Sequence, residues 1–208
     1  MAESSVWPII HAERQALAKD LAGLRDEQWK IPSLCAGWNV QQVLGHMTAT
    51  AQMTPLRFFT GLAKSGFRFT AMAEKNVAKQ TAGSPADTLA AFTRAIDATT
   101  APPGPVDSWL GETIVHSEDI RRPLGIAHDY PPQACARVAD FYKRSNLLIG
   151  AKNRIAGLAL SATDTDWSAG TGPTVSGPIL SLVMAMTGRA AALADLTGDG
   201  VTILRDRM

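Results

Sequence analysis

The sequence predicts a mainly α fold, a four-helix bundle followed by a small α+β unit. Apolar residues recur at helical spacing between recognisable caps from Ile10 to Leu124. The polar, proline-containing joint IAHDYPPQ, residues 126–133, then interrupts that pattern. Beyond it, short apolar stretches separated by turn residues replace the long periodic runs. With 208 residues, 46% hydrophobic and 19% charged, the chain can bury one good core and a smaller partner core. The expected division is residues 1–126 for the bundle and 132–208 for the C-terminal unit.

Each element has its own signal. Ile10, Leu17, Leu21 and Leu24 repeat at helical spacing around HAERQALAKDLAGL, which predicts helix one, ending near Gly23 to Asp26. After the loop WKIPSLCAGW, Asn39 with Gln42 three residues later forms a capping-box pattern, so helix two starts near Asn39. Its stripe of Val40, Val43, Leu44 and Met47 runs to Ala51, and Pro55 kinks or stops it. Residues 54–80 predict one or two shorter helical pieces. Ser84-Pro85 reads as an N-cap with proline at the first helical position, opening helix three over 87–100, which APPGP at 101–105 ends. Asp107 or Ser108 caps helix four, SWLGETIVHSEDIRR, which stops at Pro123-Leu124-Gly125. In the second unit, CARVADFYKRSNLLIG predicts a helix over 135–150, residues 154–177 two or three strands, PILSLVMAMTG a helix and VTILRD a last strand.

Composition excludes several classes of partner. Twenty basic against 19 acidic residues leave a net charge of +1, without the broad field that draws nucleic acid or an anionic membrane. No apolar run approaches the roughly 20 residues of a membrane span, and MAESSVWPIIHAERQ lacks the layout of a secretory leader. A cytoplasmic protein with small-molecule partners, monomeric or homodimeric, is expected. Cys35 and Cys135 are far apart and lack CxxC spacing, so a metal would be held by histidine and carboxylate.

The run GETIVHSED, residues 111–119, places ionisable groups in an otherwise apolar helix. With about 100° per residue counted from Trp109, His116, Glu112 and Asp119 fall at about 340°, about 300° and about 280°. Trp109, Thr113 and Ile120 mark the inward face, whereas Glu118, Arg121 and Arg122 fall toward solvent. Glu112 and His116 thus share one face, one turn apart. His46 lies at the edge of the apolar stripe of helix two. A Glu-x-x-x-His pair with a histidine from a neighbouring helix can hold a divalent metal and leave a position open. The alternatives are a helix-surface Glu–His pair and a hydrogen-bonded core histidine.

PSLCAGWNVQQVLGH, followed by GETIVHSEDIRRPLG, resembles the mycothiol-dependent maleylpyruvate isomerase family of the DinB-like metal-binding superfamily. The segment GPILSLVMAMTGRAAALADLTGDGVTILR resembles that family's small α+β C-terminal domain, and residues 55–82 match least. The resemblance implies a DinB-like bundle whose His46, Glu112 and His116 bind a divalent metal, usually zinc. It also implies mycothiol as thiol cosubstrate, adding to a small acidic conjugated substrate and permitting cis-trans rotation. Arg189 matches the family's substrate-facing arginine, which would clamp a carboxylate; otherwise it complements a helix C-terminus after Gly188. Two other functions remain open: a metal-dependent thiol S-transferase or hydrolase for detoxification, and a metal-binding protein without turnover.

Other residues admit simpler readings. Asp119 either accepts the imidazole N–H of His116 from behind or pairs with Arg122. Cys35 is expected to be a packed thiol without a base beside it, and Trp38 to staple its loop onto the bundle. His11 and His128 are expected at the surface. Asp164 and Asp166 in TDTDW predict a turn rather than a calcium loop. Arg57 and Arg68, among Phe58, Phe59, Phe67 and Phe69, predict a pocket rim or a solvated helix face rather than a nucleic-acid surface.

Overall fold

Caps and prolines open most helices of the first unit. The computed structural model describes residues 5–147 and 149–208, and the chain divides into units spanning residues 1–128 and 129–208. Helix α1, Trp7–Leu21, starts with Pro8 in its first turn, four residues before the expected His11. Helix α2, Val40–Ala51, has the full capping box: Gln42 N–H donates to Asn39 Oδ1 (2.9 Å) and Asn39 N–H to Gln42 Oε1 (3.0 Å). Two backbone donors at the helix start are thereby satisfied. The segment after Pro55 forms two helices, α3 (Pro55–Lys64) and α4 (Phe69–Gln80). Helix α5, Pro85–Thr93, is capped by Ser84, whose hydroxyl accepts from Asp87 N–H (3.2 Å). Helix α6, Val106–Leu124, ends at Gly125, whose φ of 67° suits glycine.

The four bundle helices are α1, α2, α5 and α6. Helix α2 packs on α5 and α6, and α1 packs on the same two. Their seam is filled by Leu17, Leu21, Val43, Leu44, Met47, Phe92 and Ile120, each buried. Burying one such side chain stabilises the fold by about 1.5–3 kcal/mol. Helix α4 lies against α2 at Gly45, where a Cβ would stand 2.7 Å from Thr81 Cγ2. That glycine lets the inserted pair approach α2 closely.

Three expectations for this unit need correction. Helix α5 stops at Thr93 rather than Thr100, because the chain beyond it serves other helices. Arg14 Nη1 takes the carbonyls of Ile96 (3.4 Å) and Ala98 (3.0 Å), and Thr100 Oγ1 donates to Ala51 O (2.6 Å) at the end of α2. Helix α6 starts with Pro105 in the cap position, so Asp107 and Ser108 lie inside its first turn. Glu118 and Arg121 are buried rather than solvated, because α1 covers that flank of α6. Arg121 Nε donates to Asp20 Oδ2 (2.8 Å) on α1, and Arg122 Nε to Glu118 Oε2 (2.9 Å).

The second unit has a three-stranded sheet ordered β2-β1-β3, from β1 (Ala159–Ala162), β2 (Ser168–Ala169) and β3 (Thr174–Gly177). Strand β1 pairs antiparallel with β2 and parallel with β3, setting Leu160 opposite Val175. Helix α7 (Pro132–Tyr142) packs on α9 (Ile179–Met186), and the short α8 (Ala151–Arg154) precedes the sheet. The helix expected through Gly150 therefore ends at Tyr142; Leu148 lies outside the described residues. Asp164 sits in a turn, where its Oδ1 accepts from Ile179 N–H (2.8 Å) at the start of α9. The expected last strand is instead helix α10, Gly200–Arg205. Thr197 makes a single bridge to Ser176, after which Gly198 (φ 108°) and Gly200 pack against the backbone of Pro173 and Thr174. Six residues are too short for periodicity to separate strand from helix.

Candidate metal centre

The packing of α2 on α6 brings the three sequence-predicted ligands together. His46 comes from α2, while Glu112 and His116 stand one turn apart on α6. One ligand atom from each lies within 4.8 Å of the other two. The two imidazole rings meet nearly edge to face, with centroids 5.0 Å apart and an interplanar angle of 79°. Trp38 covers His46 from the loop before α2, its ring centroid 5.1 Å away. That loop is fixed by Ser33 N–H to Trp38 O (3.0 Å), and Leu34 N–H donates to Asp119 O (3.1 Å) on α6.

The electrostatics favour ligand-competent imidazoles and leave the carboxylate in need of a partner. Burial first, and the neighbouring His116 second, push His46 down from 6.5 to about 3, while Asp119 acts weakly the other way. His46 therefore carries a lone pair at neutral pH. His116 Nδ1 lies 2.9 Å from Oδ2 of the fully buried Asp119. With Asp119 ionised this bond puts the proton on Nδ1 and leaves the Nε2 lone pair available. Asp119 thus lies at hydrogen-bond distance behind His116, and Arg122 Nε is 2.9 Å from Glu118 Oε2.

Both carboxylate oxygens of Glu112 are buried, and neither closes a hydrogen bond. The hydroxyls of Thr50 and Thr113 lie beside them and, with the charges of His116 and Arg14, oppose the rise that burial imposes on this carboxyl. Burial wins, so the group is pushed above its ordinary value. An unpaired buried carboxylate is costly, and a divalent cation between it and the two imidazoles would remove that cost. Two nitrogens and one oxygen form a donor set suited to zinc, with a further position for a small molecule.

Two neighbours had no clear signal in the sequence. Arg14, buried inside α1, sends positive charge toward Glu112; burial pushes its guanidinium down, and Glu112 acts against that shift. Cys35 has one ligand atom grouped with His116 and Asp119 within 4.8 Å, which corrects the expectation that nothing basic stands beside it. Only the return of the loop onto α6 creates that proximity. His11 and His128 are half-buried rather than at the surface: His11 packs near Trp7, and His128 Nε2 lies 2.7 Å from Glu13 Oε2. In the second unit, Arg189 follows α9; its half-buried side chain donates through Nη1 to Thr187 O (3.0 Å).

The model of the mycothiol maleylpyruvate isomerase N-terminal domain matches residues 10–113, a span that includes His46 and Glu112 and stops before His116. The crystal structure of the mycothiol-dependent maleylpyruvate isomerase superposes with a TM-score of 0.63 at 15% identity, over 93% of this chain and 91% of that one. A histidine-to-alanine mutant of that isomerase gives a TM-score of 0.61 at the same identity and coverage. At this identity the likeness is one of fold. A search of curated proteins finds no match. No helix among the described residues is long and apolar enough to cross a membrane. With half its length matched by the family model, the chain belongs to the mycothiol maleylpyruvate isomerase N-terminal domain family.

Proposed function

We propose that the protein is a zinc- and thiol-dependent enzyme, related in activity to maleylpyruvate isomerase, with His46, Glu112 and His116 as the metal ligands and mycothiol as the cosubstrate. The observation that carries this reading is the Glu112 carboxylate, buried without a hydrogen bond beside two imidazoles. Bound there, the ion would supply Lewis acidity and keep a thiol in its nucleophilic thiolate form at neutral pH.

The chain's own groups prepare that site. Burial holds His46 neutral, so no proton competes for its lone pair near pH 7. Asp119 orients His116 and fixes its tautomer, a role that typically matters 10- to 100-fold for metal affinity. Arg14 lends positive potential to Glu112 and favours its ionised form. Trp38 shields one side of His46 from water. In the second unit, Arg189 is the residue assigned to an anionic group of the substrate, with a planar guanidinium able to make two parallel hydrogen bonds. A cytoplasmic setting follows from the use of a low-molecular-weight thiol.

Cobalt substitution tests the reading. The cobalt protein should develop a thiolate charge-transfer band on addition of mycothiol or a simpler thiol. A spectrum indifferent to every thiol, together with a fourth protein ligand, would assign the centre a binding role without turnover. Thiol transfer or hydrolysis at the same centre is the second reading, favoured by the uncharged lining of the cavity that adjoins His46.

A further inference from the structure

A cavity inside the bundle unit opens directly beside His46. It is a recess partly open to solvent. Helix α2 lines one side with His46 and Thr50, four residues apart and so on one face, and Met53 just beyond its end continues that wall. Helix α4 lines another with Phe69, Met72 and Asn76 at similar spacing, and Phe58 of α3 completes the wall. Phe58 and Phe69 approach with ring centroids 6.4 Å apart. Alanines on both α2 and α4 leave the space between these larger side chains.

The chemistry of the lining is selective. No lysine, arginine, aspartate or glutamate contributes to it. The cations nearest in sequence, Arg57, Arg68 and Lys75, are exposed, and Arg57 Nη1 donates to Gln52 O (3.1 Å). Thr50 both lines the cavity and adjoins the Glu112 carboxylate, so the cavity reaches the candidate metal centre at His46 and at Thr50. Away from His46, a carboxylate placed here would lose its hydration and meet thioethers, phenyl rings, alkyl groups, an amide and a hydroxyl. An uncharged aryl or branched alkyl group would instead remove apolar wall from water and stack on Phe58 or Phe69.

We infer that this cavity is a substrate subsite for an uncharged, apolar group, aryl above all, held beside His46, and that any carboxylate of the substrate lies outside it. The inference rests on the metal-centre reading for its catalytic meaning, though the cavity exists without it. It separates this protein from a catalyst that takes a small dicarboxylate wholly into the bundle.

Methionine methyl NMR tests this on the full chain. Protein labelled with ¹³C at the methionine methyls is titrated with benzyl alcohol as the neutral aryl probe and with maleate as the dianion, in both metal-free and zinc-loaded forms. Met53 and Met72 are assigned from their leucine variants. Benzyl alcohol should shift both methyls saturably, with a Kd of about 1 mM as suits so small a ligand, and maleate should leave them in place. Asn76→Asp should weaken the aryl probe about tenfold by placing charge in the lining, while keeping the zinc stoichiometry of the wild type. Ala73→Phe, which fills the space, should do the same. Maleate shifting these methyls in preference to benzyl alcohol, or no shift with either, would overturn the inference. A zinc-binding protein that ignores the aryl probe loses the subsite and keeps the metal centre; one that binds the probe without zinc does the reverse.

Discussion

Protonation of His46 in the unfolded chain should destabilise the metal-free protein at mildly acidic pH, by an amount that follows from its burial in the fold. The imidazole titrates at about 3 in the fold against 6.5 in the open chain. For a base whose folded value is depressed, the unfolded chain binds the proton first. Its contribution to stability is therefore present above about 6.5 and is lost as pH falls from there toward about 3. Moving from pH 7 to pH 5 makes the unfolded imidazole almost fully charged and leaves the folded one neutral, which costs about 2 kcal/mol. Glu112 runs the opposite way: its folded value is raised, so the penalty for ionising it grows as pH rises above the ordinary carboxylate range. Comparing wild type with His46→Gln isolates the imidazole from that background. Urea unfolding of both metal-free proteins at pH 7 and pH 5 should show wild type losing about 2 kcal/mol more than the variant. Equal losses would mean that His46 is solvated in the metal-free fold, and would remove the argument that burial keeps it neutral.

Other substitutions separate the parts of the centre. Glu112→Gln should abolish stoichiometric zinc, yet raise the stability of metal-free protein at pH 7 by about 1–3 kcal/mol, because a neutral amide replaces an unpaired buried carboxylate; paired metal analysis and urea unfolding read both effects. Asp119→Asn should weaken zinc by about 10- to 100-fold in a competition titration, since His116 loses the group that orients it. Arg189→Lys should leave metal content unchanged and weaken a carboxylate-bearing substrate by about 1–3 kcal/mol, measured as KM or as a calorimetric Kd. Unchanged affinity there would remove the substrate role assigned to Arg189.

Local chemistry explains what could be read in advance. A cap contains its own instruction, so Asn39 with Gln42 and Ser84 with Pro85 located helix starts that the structure contains. Helical phase likewise put Glu112 and His116 on one face, and a bundle gives His46 few other places to point. Phase misled for Arg121 and Glu118, because a helical wheel records one helix and not the neighbour that covers its far side. Asp20 on α1 supplies the partner that makes burial of Arg121 tolerable, and 101 residues separate the two. Arg14 is a comparable case, a charge in an apolar stripe whose partners are carbonyls of a loop more than eighty residues away. The proximity of Cys35 to His116 depends on a loop closing over α6 through backbone hydrogen bonds, which side-chain identities alone do not encode. The C-terminal VTILRD failed for lack of length, and the two close-packed glycines at 198 and 200 decided its conformation.

The central claim is that His46, Glu112 and His116 hold one divalent ion, and metal stoichiometry tests it most directly. Protein purified without chelator should contain one equivalent of zinc per chain by elemental analysis, while His116→Ala, folded by circular dichroism, should contain almost none. Full zinc content in a folded His116→Ala, or none in wild type after zinc loading, would contradict the account.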